Sequence, residues 1–285
     1  MKASVKYLII YHRRTQYPIS FMCQFFGVSR SGYYNFLSRI DNPSRDEPIA
    51  QMIAECQMRC NKTYGYRRIK IWLEKVKHKH FNLKTVLRIM RKYDLLAEIR
   101  RRRKYRQMGE QLHKYENLLN RQFQADHPNK KWVTDISYIH TDEGVLYLSV
   151  ISDLFDNSIV SYQTGTEQTV NLVLNTIKAA LQKEAVTVEL QLHSDQGFQY
   201  TSTGYHTLTK EYGITPSMSR RGNCYDNATV ENFFGTLKTE CIYRVKPQTL
   251  NEARQIVAEY IWFYNNERIQ LKTKLTPLEK RRQIA

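Results

Sequence analysis

Apolar positions recur at helical spacing through the first third of the chain and change to short, strand-like runs after Pro128. Residues 19–26 read as a short apolar helix and Gly27 as a turn. Val28-Ser29-Arg30-Ser31-Gly32-Tyr33-Tyr34 then opens a second helix behind a Ser N-cap. This is the outline of a helix-turn-helix over residues 1–42, with Arg30 and Tyr33 as candidates for reading a DNA groove; a plain two-helix hairpin fits the same pattern. Pro43 and Pro48, among Asn42, Ser44 and Asp46, mark a linker. From Ile49 the helical period resumes through Ile53 and Met58, then Ile69, Trp72, Leu73 and Val76, then Val86, Leu87, Ile89 and Met90. These predict a second helical module over 45–107, in which Arg67, Arg68, Lys84, Arg88 and Arg91 are candidates for phosphate contact. A polar connector spans 108–127.

Beyond Pro128, residues 132–139, 145–153 and 159–164 read as successive strands joined by turns at Asp142-Glu143-Gly144 and Asp156-Asn157-Ser158. A helix over 169–183, a strand over 188–192, a helix over 205–212 and a strand over 214–218 follow, then helices over 228–243 and 250–265. This order predicts an α/β domain over 128–285: a ribonuclease-H-like, mixed five-stranded sheet flanked by helices, preceded by the all-α modules.

Charge divides the chain more sharply than hydropathy does. Residues 1–125 hold 27 Lys and Arg against 9 Asp and Glu, a net of +18, whereas the remainder holds 17 against 18, a net of −1. Such asymmetry points to a front half that binds a polyanion. Arg100, Arg101, Arg102 and Arg103, with Lys104 and Arg106, put six cations into seven residues and are further DNA-binding candidates. No apolar stretch approaches the roughly 20 residues of a membrane span, and the short run after Lys2 and Lys6 is no signal peptide, so a cytoplasmic protein with no membrane partner is expected. Five scattered cysteines suggest reduced thiols. The Cys56-x3-Cys60 spacing, with His78 and His80 downstream, fits one helix face as well as it fits zinc. No Gly is followed by Lys, which excludes a P-loop motor.

Three acids carry the candidate chemistry. Asp135 lies within an otherwise apolar strand, Asp195 follows a strand and opens the loop Gln196-Gly197-Phe198, and Glu231 lies in a helix. Convergent carboxylates suit hard, oxygen-preferring cations, Mg²⁺ or Mn²⁺, and two such ions can activate an attacking oxygen and stabilise the leaving oxygen of a phosphodiester. Between Asp135 and Asp195 stand 59 residues, and between Asp195 and Glu231 stand 35. His193 is a tempting base, but the metals would already generate the nucleophile, so a structural or DNA-proximal role is expected for it.

At these residues the chain resembles the transposases of bacterial insertion sequences whose catalytic domain is similar to retroviral integrase. The likeness is carried by Trp132-Val133-Thr134-Asp135-Ile136, Asp153-Leu154-Phe155, His193-Ser194-Asp195-Gln196-Gly197, the segment 222–228, Glu231-Asn232-Phe233-Phe234, Tyr264-Asn265-Asn266-Glu267-Arg268 and Thr276-Pro277. It implies an integrase core with catalytic, metal-holding Asp135, Asp195 and Glu231, two ions per site, and Lys238 contacting DNA from the same helix face as Glu231. It also implies action on the terminal inverted repeats and on target DNA, a homo-oligomer on synapsed ends, and a companion product from an upstream frame. A ribonuclease-H-like nuclease and an inactive DNA-binding regulator share parts of this pattern. Two positions depart from the family: Asp156-Asn157-Ser158 replaces a frequent basic residue, and Gln270 stands where some relatives carry His.

Overall fold

The computed structural model describes residues 1–40, 44–98, 115–120, 122–186, 189–219 and 227–283. Arg100 to Arg103 and most of the segment 222–228 lie outside these residues.

Three helices form the first module: α1 (Ala3–Arg13), α2 (Ile19–Phe26) and α3 (Arg30–Ile40). Gly27 ends α2 in the left-handed region (φ +61°), where a side chain would be strained, and its N–H reaches back to the carbonyls of Cys23 and Gln24. Ser29 Oγ accepts the Gly32 N–H at 3.0 Å, the expected cap of α3. The turn chemistry was legible, but α1 was not separated from the chain around it. Its Ile10 completes a small core with Met22, Cys23 and Tyr33. Tyr33 is fully buried there and packs against Tyr7, so the expectation that it reads DNA is corrected: it is a core residue, and Arg30 is the exposed one.

The second module consists of α4 (Glu47–Arg59), α5 (Tyr66–Val76) and α6 (Leu83–Lys92). Ile53, Cys56, Cys60, Ile69, Trp72, Leu73, Val86, Ile89 and Met90 form its core. Met58, read as apolar periodicity, is 73 % exposed because Ile53, Cys56 and Cys60 already fill the i, i+3, i+7 stripe, and Val76 in the last turn of α5 is exposed too.

The C-terminal half holds one five-stranded sheet in the order β3-β2-β1-β4-β5. Strands β1 (Lys131–Thr141), β2 (Gly144–Asp153) and β3 (Ile159–Gly165) are antiparallel neighbours, and β4 (Gln191–Ser194) and β5 (Thr215–Met218) add in parallel. One face is covered by α9 (Ala228–Leu237) and α11 (Leu250–Asn266) through Val133, Ile139, Leu148, Val230, Phe233 and Val257. The other is covered by α7 (Val170–Lys183) and α8 (Thr203–Glu211) through Trp132, Ile151, Val173, Ile177 and Tyr205. Strand β4 runs later than the apolar run suggested, because His193 and Ser194 are buried polar residues: the His193 ring meets Ser217 Oγ (2.8 Å) and Ser219 Oγ (3.2 Å). The helix expected over 228–243 runs on from α9 through a π-helical segment (Lys238–Ile242) into the short α10 (Tyr243–Val245). Among the described residues no helix is long and apolar enough to cross a membrane.

The C-terminal segment ties the halves together. Ile269 is buried in the core of the second module, Tyr64 OH donates to the Glu267 carbonyl (3.0 Å) and accepts the Ile269 N–H (2.8 Å), and Arg68 Nε donates to the Ile269 carbonyl (3.0 Å). On α12 (Pro277–Arg282), Arg281 joins Asp153 (2.9 Å), Asp156 (2.8 Å) and Glu184 (2.7 Å), the two aspartates being fully buried. The two departures from the family pattern fall in this clamp, since Gln270 Nε2 donates to the Asp156 carbonyl at 2.7 Å.

Removing Arg281 would leave buried carboxylates uncompensated. Arg281→Met is expected to cost about 3–5 kcal/mol, read as a lower urea midpoint; an unchanged midpoint would show that the clamp is dispensable. Ile269→Ala is expected to cost about 2–5 kcal/mol and to separate the melting of residues 44–98 from that of the sheet in calorimetry, whereas a single unshifted transition would mean that the two halves are not held by this contact.

Candidate active site

Strand register brings the first two acids together. Val133 pairs with His193 across the parallel β1–β4 ladder, so two residues further along each chain stand Asp135 and Asp195 on the same face. Val133 and Ile139, which alternate to that face with Asp135, pack against Val230 and Phe233 of α9, the helix that carries Glu231. Three acids separated widely in sequence therefore lie on one side of the sheet, at the end of the short β4. The ladder between β1 and β4 ends at Val133, which leaves the edge of β1 beyond it open toward the loop after Asp195.

The loop is shaped by a close approach. Asp195 Oδ1 accepts the Gly197 N–H at 2.9 Å, and a Cβ at Gly197 would stand 2.9 Å from that same oxygen and 3.0 Å from Gln199 Oε1. Glycine is thus required for tightness here, not for backbone angle. Gln196 Nε2 donates to the Ser219 carbonyl at 2.9 Å and fixes the loop to the end of β5.

Electrostatics registers the convergence. The Asp135 carboxyl is pushed well above the usual carboxylate range, first by burial and then by the Asp195 charge; the Ile136 N–H opposes this, Glu231 adds to it, and Lys238 opposes it. Asp195 is raised by burial against the lowering effect of the Gly197 N–H. Among the described residues no three Asp, Glu, His or Cys side chains stand close enough together to hold a metal ion. A divalent cation between carboxylates would remove the repulsion of their charges. The donor set is all carboxylate oxygen, which fits Mg²⁺ or Mn²⁺ and not a soft metal.

Sequence reasoning missed several neighbours. Tyr200 is buried, its hydroxyl lies 3.3 Å from Thr134 Oγ1, and its pKa is driven up by burial and then by Asp135 and Asp195, so it backs both acids. Asn227, buried at the N-cap of α9, donates to the Thr134 carbonyl at 3.4 Å and ties that helix to β1 beside Asp135. Tyr138 lies under the Lys238 ammonium, 4.6 Å from its ring centre. Tyr200 was visible only as a member of the motif after Asp195; Asn227 and Tyr138 carried no periodic signal.

Candidate DNA contacts divide by their partners. Arg30, Arg67 and Lys84 are exposed. Arg88 forms a two-pronged ion pair with Asp46 (2.7 Å to each oxygen), which Lys92 joins at 3.0 Å. Arg68 is directed into the junction with Ile269. His193 is buried within the sheet, its ring engaged by Ser217 and Ser219.

Comparison with known proteins gives two matches to integrase core domain models, over residues 125–224 and 231–284, and one to an HTH-like domain over residues 44–103. The chain is 40 % identical over 271 residues to a putative transposase, InsK, of insertion sequence element IS150 from Escherichia coli K12, covering 95 % of each chain. It is 35 % identical over 246 residues to the transposase InsF of insertion sequence IS3A from the same organism, covering 84 % of each. Among solved structures, the HTLV-2 integrase catalytic core domain in complex with magnesium matches 55 % of this chain and 98 % of its own, at 16 % identity and a TM-score of 0.45. Sheet, helical modules and relatives agree: the chain belongs to the insertion-sequence transposases with an integrase core, polynucleotidyl transferases that act on DNA.

Proposed function

We propose that this chain binds the terminal DNA of an insertion sequence through residues 1–107 and that its sheet domain cuts and joins DNA there, with Asp135, Asp195 and Glu231 as the catalytic carboxylates. The observation that carries this reading is the β1–β4 register, which sets Asp135 and Asp195 on one face beside the helix that bears Glu231, in a chain with transposase relatives. Asp135, Asp195 and Glu231 are the residues that would hold the metal ions. Held by these residues, two Mg²⁺ or Mn²⁺ ions would lower the pKa of an attacking hydroxyl and neutralise the departing oxygen.

The remaining work falls to the protein's own groups. Lys238 supplies a fixed positive charge for a phosphate beside Asp135, and Tyr200, Thr134 and Asn227 hold the strand and helix that carry the acids. Water is the first nucleophile and the freed 3′-hydroxyl the second, both in line with the leaving oxygen, so no covalent enzyme intermediate is needed. Joining two ends to a target requires more than one copy of the chain, and an upstream-frame product is a further candidate partner. The protein is expected to act in the cytoplasm, where its DNA lies.

Glu231→Gln keeps the side-chain shape and removes one charge. Cleavage of an end-bearing duplex with Mg²⁺ is expected to fall on the order of 10²–10³-fold or more, with binding of the same duplex in a gel-shift assay nearly unchanged; normal cleavage by this variant would remove the assignment. Wild-type protein given a pre-cut end and a supercoiled plasmid is expected to form joined product with Mg²⁺ or Mn²⁺. Hydrolysis without joined product would indicate a ribonuclease-H-like nuclease, and neither activity a DNA-binding regulator.

A further inference from the structure

We infer that Tyr138 is a stacking surface for the nucleotide next to the cleaved phosphate and that it also steers Lys238, a role resting on the proposed function above. Tyr138 lies on β1 three residues after Asp135, and its side chain is 53 % exposed although it is in mid-strand. An aromatic residue in a strand needs no special explanation. What marks this one is the Lys238 ammonium held 4.6 Å from its ring centre by a cation–π contact, while the same ammonium acts on the Asp135 carboxyl.

Three observations make the ring a platform. Beyond Val133 β1 is not paired by β4, and there Tyr138, which alternates to the face opposite Asp135, meets Lys238. His140, two residues on, meets the ring edge-on with centres 5.2 Å apart and widens the aromatic surface. Tyr147 stands opposite Tyr138 in the β1–β2 register, a further aromatic side chain on the same face.

A phosphate drawn to Lys238 beside the three acids brings its own base, and the open ring beneath Lys238 is where that base finds a π surface. Stacking tolerates any base, since every base has a π face. Tyr138 therefore positions the end in the active site without reading sequence, and sequence reading is left to the helical modules. Before DNA arrives, the ring restrains a long, flexible ammonium side chain that would otherwise sample many rotamers.

The test uses full-length protein and a duplex of the element's terminal repeat carrying 5-iodo-2′-deoxyuridine at the nucleotide next to the cleaved phosphate. Irradiation of the wild-type complex is expected to cross-link the peptide containing Tyr138. Tyr138→Leu is expected to lose that cross-link and to raise the KM of cleavage about tenfold, within the range that removal of an aromatic ring gives for base stacking, whereas Tyr138→Phe recovers to within about twofold. Circular dichroism melting of each variant checks folding, and if Tyr138→Leu fails to fold, the wild-type cross-link together with the Tyr138→Phe kinetics decides. Wild-type cleavage with the cross-link elsewhere, or Tyr138→Leu acting like wild type, would overturn this inference and leave the proposed function standing. No Mg²⁺-dependent cleavage by the wild type would overturn both.

Discussion

Two carboxylates set on one sheet face by strand register, beneath the helix that bears a third, are the constraint around which the C-terminal half is built. Gathering like charge is unfavourable, and burial and the Asp195 charge both push the Asp135 carboxyl upward. Something must hold the acids in place against their repulsion. The His193 ring, bridging Ser217 and Ser219, locks the end of β4 to β5. Gly197 lets the following loop close onto Asp195. Val230, Phe233, Phe234 and Leu237 press α9, and with it Glu231, onto β1 and β2. Each is a packing or hydrogen-bonding device whose stability is spent on gathering like charge, and Lys238 offsets only part of it.

A second set of charges performs the opposite task, since it is fully paired and serves architecture. Burial alone would raise the Glu240 carboxyl, yet Arg268, at 2.9 and 2.7 Å, and the Tyr260 hydroxyl hold it below the usual range. Glu240 sits in the π-helical segment that follows α9, and Arg268 lies one residue before Ile269, which is buried in the helical module. A continuous chain of contacts therefore runs from the helix bearing Glu231 and Lys238, through Glu240 and Arg268, to Tyr64 and Arg68 of the second module.

Much of this was legible in the sequence where local pattern and global packing agree. Alternating β-branched and aromatic residues placed β1 to β3 within two residues of their ends, and the amphipathic period placed α7 within one. The three acids stood out because a charge inside an apolar strand and one after a strand end demand explanation. What escaped was whatever depends on contacts distant in sequence. Burial of His193 and Ser194 required knowledge of Ser217 and Ser219, so β4 was drawn too early. Tyr33 looked like a groove-reading residue because α1, which buries it, left no separate mark. Ile269 gave no sign from its neighbours that it belongs to a core formed more than 170 residues earlier.

The same lesson applies to the basic front half. A net charge of +18 over residues 1–125 creates a field that attracts DNA whatever each side chain does individually, since this attraction depends on summed charge and falls with salt. Individual cations nevertheless differ. Arg88 and Lys92 are engaged by Asp46 and Arg68 by the Ile269 carbonyl, whereas Arg30, Arg67 and Lys84 point to solvent. Capture and placement thus separate physically: the field gathers DNA over a Debye length, and the last few ångströms depend on short-range groups at the sheet edge. A surface with many cations and no fixed geometry holds a duplex in many registers. A single ammonium seated over a ring, as Lys238 sits over Tyr138, has by contrast one restrained position, and cutting at one phosphodiester demands such fixed geometry more than it demands affinity.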